Sequence, residues 1–194
     1  MVVEKLEGIG TRSINVLSEA ELASLREYCR KPGYRRMPKG NGTFIFYKDI
    51  PKDINEKLTA QARFNTGKNL KDIISFVRLN TSVHDIEFRI HADQDIFGQK
   101  PTVAGLFYLD SSNTTGTAFF KHPVYGKRAI KEEHYIFTED DNQWEIYDMV
   151  YSESNSMITY DAQLYHARQP WVSQGKDQKD GRIVLVKFMR ECNE

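Results

Sequence analysis

The sequence predicts a mainly β protein with N-terminal helices, its strands rolled into a closed jelly-roll or barrel core. Three observations carry that expectation. From residue 73 onward, short apolar or alternating segments recur, separated by turn-rich spacers such as Asn80-Thr81-Ser82, Gly98 to Pro101 and Asp110 to Gly116. The helix patterns that stand out fall within the first 70 residues. No internal repeat and no linker divides the 194 residues, a length that suits one domain around one core. The expected organisation is a single unit, with 1–70 as a helical N-terminal cover and 71–194 as the jelly-roll core.

In chain order, residues 1–17 read as an irregular or strand-like lead-in. Ser18-Glu19-Ala20-Glu21 is a capping-box pattern, and Leu22, Leu25, Tyr28 and Cys29 follow at helical spacing until Pro32-Gly33. The basic stretch around Tyr34-Arg35-Arg36 reads as a solvated helix end. Thr43 to Tyr47 suits a strand. Pro51 opens a second helix with Ile54, Leu58, Ala62 and Phe64 on its buried side, closed by Gly67. The expected strands are then Ile73–Leu79, Ile86–Asp93, Val103–Leu109, Thr117–Phe120, Ser156–Tyr160 and Arg182–Met189. Lys127 to Tyr151 is acidic and aromatic, with a short helix expected from Glu139 that carries Trp144, Ile146, Tyr147 and Val150. Its position suggests a lid over a barrel mouth.

Composition narrows the function classes. Lysine plus arginine equals aspartate plus glutamate, 27 of each, which argues against a nucleic-acid binder. No apolar run reaches bilayer-spanning length, and the first residues lack a secretory pattern, so a cytoplasmic location with no membrane partner is expected. The two cysteines, Cys29 and Cys192, give neither a disulfide framework nor a zinc site.

Chemistry concentrates at three places. In I-E-F-R-I-H-A-D, residues 86–93, strand alternation puts His91 and Asp93 on one face, two-thirds of the two-His, one-carboxylate set that holds non-haem Fe(II). An amphipathic strand with one wet face would look the same. A distal histidine, His166, lies in L-Y-H-A-R-Q-P. Sixteen residues on, Arg182 opens R-I-V-L-V-K-F-M and aligns with Val184, Val186 and Phe188, where a guanidinium needs an anionic partner or a route to water. The third piece is P-T-V-A-G-L-F-Y-L-D, residues 101–110, a strand buried on both faces, followed by G-T-A-F-F-K-H at 116–122.

Taken together over residues 73–190, these pieces resemble the 2-oxoglutarate- and Fe(II)-dependent dioxygenases, in the prolyl-hydroxylase-like branch of unestablished substrate. One glycine is kept where that branch has a Gly-Gly-x-Thr-like turn. The resemblance implies a cupin-like double-stranded β-helix and a hydroxylase that uses 2-oxoglutarate and dioxygen on an organic substrate. It implies His91, Asp93 and His166 as iron ligands, Arg182 as partner of the distal carboxylate of 2-oxoglutarate, and Tyr108 as a hydrogen-bond donor to it. Lys176, in Q-G-K, is the alternative cation. Arg89, His122 and Trp171 are expected near the substrate. The same residues also fit a 2-oxoglutarate-independent cupin-like enzyme or a non-catalytic metal-binding module.

Overall fold

The computed structural model describes residues 2–38, 44–83, 89–131, 136–137, 143–170 and 175–192. Among them the larger sheet runs β1 (Val2–Leu6), β2 (Gly10–Ile14), β11 (Ser156–Asp161), β7 (Val103–Tyr108), β13 (Arg182–Glu191), β5 (Leu70–Asn80), β4 (Phe44–Lys48) and β3 (Arg35–Pro38). The smaller sheet runs β10 (Glu145–Tyr151), β8 (Gly116–Lys121), β12 (His166–Gln169), β6 (Ile90–His91) and β9 (Ile136–Phe137). All of the recorded pairings are antiparallel. From β5 to β8 the chain alternates between the sheets, and it does so again from β10 to β13.

The two helices lie against the outer face of the larger sheet. Helix α1 (Glu19–Arg30) starts where the capping box predicts: Glu21 N–H donates to Ser18 Oγ at 3.4 Å, and Ser18 N–H to the Glu21 carboxylate at 3.0 Å. It buries Leu22, Leu25 and Cys29, and burial pushes the Cys29 thiol up to about 12. Helix α2 (Lys52–Thr66) buries Ile54, Leu58, Gln61 and Ala62, and ends on Gly67 at φ 67°, a left-handed cap that glycine adopts without strain. Phe64 does not join its buried side. It is 67% exposed, because it stands two residues, about 200° of helix rotation, from Ala62.

Side chains of both sheets meet in one inner cluster that includes Phe76, Leu106, Val184 and Val186 from the larger sheet and Phe119 and Val150 from the smaller. The intervening Leu79, Phe107, Ile183 and Leu185 face the helices. β7, held between β11 and β13, is buried along its whole length, as its unbroken apolar run predicts.

Several sequence expectations need correction. The first 70 residues supply four strands of the larger sheet besides the helices. β1 and β2 form a hairpin that docks on β11, and Arg35-Arg36 belongs to edge strand β3, whose charges suit an unpaired edge. Ile146, Tyr147 and Val150 lie on a strand, β10, because its backbone pairs with β8, with a bulge at Tyr147 that breaks the alternation and imitates helical spacing. The helix start proposed at Glu139–Asn142 and the first part of the Ile86–Asp93 strand, 86–88, lie outside the described residues; of that strand, Ile90–His91 forms β6.

Gly116 of the T-G-T turn is needed where it stands. A Cβ there would sit 2.1 Å from Val150 O of β10. Gly116→Ala is expected to force the two strands apart and cost about 2 kcal/mol or more, read as a lowered midpoint in urea unfolding.

Candidate metal and anion site

Three side chains from two neighbouring segments converge between the sheets. His91 of β6 and His166 of β12 are direct cross-strand partners, with ring centroids 4.5 Å apart. Ile90, Tyr165 and Ala167 point to the other face of the small sheet, so both imidazoles face inward by strand alternation. Asp93 lies just past β6, where its N–H donates to Ala162 O at 2.8 Å. His91 Nε2 and His166 Nε2 lie 4.0 and 3.7 Å from Asp93 Oδ1, and one ligand atom from each residue fits within a 4.8 Å span.

The tautomers follow from the backbone. His91 Nδ1 faces Arg89 O at 2.9 Å and His166 Nδ1 faces Leu164 O at 2.8 Å. A carbonyl accepts only, so each Nδ1 carries the proton and each Nε2 offers a lone pair to the common centre. Burial holds the His166 imidazole down to about 3, and the neighbouring His91 pushes the same way. Burial also pushes the Asp93 carboxyl well above its ordinary range; Arg78 opposes that and Asp161 adds to it. Asp93 Oδ2 is buried and makes no hydrogen bond. A buried carboxylate that shares a centre with two inward lone pairs offers three donors to one cation. The donor set, two imidazole nitrogens and a carboxylate, suits Fe(II) with positions left for other ligands.

Next to this centre lies an inner polar wall. Tyr160 packs edge-on to the His166 ring at 5.1 Å, and Phe119 stands beside both. Tyr108 is 2% exposed and donates through its hydroxyl to Thr117 Oγ1 at 2.8 Å. Arg182 faces inward with Val184 and Val186; its Nη1 donates to Asn80 Oδ1 at 3.2 Å and its Nη2 to Gly116 O at 3.3 Å. Tyr108, Arg168 and Arg182 line one cleft of about 280 Å³.

Lys176 stands on an exposed turn whose N–H groups bind Asp180. Arg89 offers its carbonyl to His91, a main-chain role that does not depend on its side chain. His122 shares the outer face of β8 with Phe120, stacks on Tyr125 at 4.5 Å, and accepts the Val124 and Tyr125 N–H groups on Nδ1. Trp171 lies outside the described residues. Two arginines were not predicted. Arg78, the cross-strand partner of Val184, acts on Asp93, His166 and Tyr160. Arg168, two residues past His166, shares its face, and that spacing was the available signal.

No protein-family model matches the sequence, and no curated protein matches it. In fold the chain is similar to non-haem, 2-oxoglutarate-dependent enzymes. The carbocyclase SnoK of nogalamycin biosynthesis aligns with a TM-score of 0.62 at 13% identity, over 92% of this chain and 78% of SnoK. The epimerase SnoN of the same biosynthesis gives 0.58 at 12%, over 92% and 77%. HygX from Streptomyces hygroscopicus, solved with iron bound, gives 0.56 at 14%, over 93% and 81%. At these identities the likeness is one of fold.

Proposed function

We propose that the chain is a 2-oxoglutarate- and Fe(II)-dependent oxygenase, a single domain on a double-stranded β-helix that hydroxylates an organic molecule. The observation that carries this is the convergence of His91, Asp93 and His166, with one ligand atom of each inside a 4.8 Å span and both Nε2 atoms within 4.0 Å of Asp93 Oδ1. The neighbours in fold support it, since they include α-ketoglutarate-dependent enzymes and a HygX complex that holds nickel, 2-oxoglutarate and hygromycin B. An epimerase and a carbocyclase among them share α-ketoglutarate dependence and not one reaction; hydroxylation, and a place in the prolyl-hydroxylase-like branch, rest on the motif order alone.

In this reading His91, Asp93 and His166 would hold Fe(II), and the bound metal would supply the chemistry by which dioxygen converts 2-oxoglutarate to succinate and carbon dioxide and a substrate C–H bond to C–OH. The chain's own groups bind and orient. Arg182, kept in place by Asn80 and Gly116, faces the distal carboxylate with a guanidinium fork. Tyr108, whose single hydroxyl proton goes to Thr117 Oγ1 here, would turn that proton to the carboxylate when the 2-oxo acid binds. Phe119 and Tyr160 exclude water from one side of His166.

Anaerobic addition of Fe(II) and 2-oxoglutarate is expected to produce the weak visible absorbance of the chelate. The band should vanish in His91→Ala and His166→Ala. Arg182→Ala should weaken 2-oxoglutarate binding about 10- to 100-fold, while Lys176→Ala stays near wild type. A band that survives loss of either histidine would remove that residue from the site, and the opposite ranking of Arg182 and Lys176 would move the anchor to the turn.

A further inference from the structure

On β12, His166 and Arg168 share the inner face; across the ladder on β8 they meet Phe119 and Thr117. Thr117 accepts the Tyr108 hydroxyl at 2.8 Å, and its neighbour Gly116 accepts Arg182 Nη2 at 3.3 Å. Arg168, Tyr108 and Arg182 therefore surround one spot from three strands, and all three line the same cleft. Two residues of strand advance about 6.6 Å. That is the reach of a five-carbon diacid, so a diacid with one end at His166 has its other carboxylate beside Arg168.

Charge points the same way. Three arginines and two aspartates line the cleft. The aspartates are engaged at its rim: Asp110 bridges Arg26 at 3.2 Å and Arg30 at 2.6 Å, and Asp180 accepts the Lys176 and Asp177 N–H groups at 2.7 and 3.1 Å. Two guanidinium groups facing one half-buried space repel each other, and an anion between them turns that repulsion into attraction on both sides.

We infer that Arg168 is a second cationic contact for the distal carboxylate of the 2-oxo acid, and that with Arg182 it makes the site selective for a diacid over a monoacid of equal length. This rests on the proposed oxygenase reading and names a residue that reading does not require. The selectivity has a direct measure: the ratio of affinities for 2-oxoglutarate and 2-oxopentanoate, which share the chelating end and differ in the distal carboxylate.

The test is calorimetric titration of both acids into Zn(II)-loaded protein, wild type and Arg168→Gln, with Arg168→Met as a second neutral variant that keeps the apolar stem. In each variant 2-oxoglutarate is expected to bind about tenfold or more weakly, with 2-oxopentanoate and Zn(II) affinities unchanged, so that the diacid preference falls by the same factor. Equal weakening of both acids, or of neither, would overturn the assignment and leave the oxygenase reading standing. Wild-type protein that binds Zn(II) but neither acid would overturn both.

Discussion

Asp93→Asn is expected to abolish Fe(II) binding while raising the thermal midpoint of the metal-free protein at pH 8. The two effects have opposite sign because one carboxylate serves the site at the expense of the fold. Asp93 is 4% exposed, and its Oδ2 makes no hydrogen bond. Burial favours its protonated form, so its folded pKa stands above the ordinary 3.8. Its contribution to stability is therefore complete below that ordinary value and is lost as pH rises through the folded pKa. Above it, the metal-free fold carries a buried charge. Asparagine removes the charge at similar volume, and relief of about 1–3 kcal/mol corresponds to roughly 2–10 °C for a chain of this size. His166 has the reverse sign. Held down to about 3, it supports the fold as neutral imidazole, fully above the ordinary 6.5 and progressively less as pH falls. The variant should thus lose the decline that sets in as pH rises above the ordinary 3.8 and keep the loss at acid pH that His166 causes. A midpoint that drops at pH 8 would make Asp93 a structural carboxylate instead.

The same residue shows why parts of the site were legible. His91 and Asp93 announce themselves by strand alternation, and alternation survives in the structure even though Asp93 lies beyond the strand end. His166 needs the fold to place it opposite His91, a pairing between positions 75 residues apart in sequence that no local pattern encodes. Arg168 was legible in principle, on the same face as His166. Arg78 was not, since only the β5–β13 register sets it beside Val184. His122, expected near the substrate, is followed by a tight turn whose Val124 and Tyr125 N–H groups bind its ring and fix it against Tyr125.

Among the elements, those ruled by local chemistry were the readable ones. The capping box sets the start of α1, and the left-handed glycine ends α2. β7 is buried on both faces and its sequence is accordingly apolar throughout. The edge elements were harder. β3 is basic because it borders solvent, and β10 carries a bulge, so each lacks the alternation by which a half-buried strand is recognised.

Asp72→Ala is the substitution expected to damage the fold most. Lys187 of β13 is 1% exposed and points to the outer face, opposite to Arg182's. Its ammonium donates to Asp72 at 2.9 Å and to Ser75 Oγ at 3.0 Å, and it also binds Asn55 of α2. Asp72 further accepts from Asn55 Nδ2 at 3.0 Å, so the ion pair ties α2 to the sheet. Removing the carboxylate leaves a buried ammonium facing neutral groups only among these partners, at a cost of about 3–5 kcal/mol. Burial lowers the Lys187 pKa below the ordinary 10.5 and Asp72 counters that, so in Asp72→Ala the ammonium gives up its proton more readily. The sign follows: the defect is largest near neutral pH and shrinks as pH rises toward 10, where the folded lysine is neutral at little cost. Asp72→Ala combined with Lys187→Met should recover most of the loss, because no charge then remains to be solvated. Chemical denaturation of the single and double variants across that pH range checks both statements, and amide exchange should show α2 loosened in the single variant. Zn(II) affinity at neutral pH should stay within about twofold of wild type wherever the fold is intact, since the metal ligands and the ion pair are distant, independent groups.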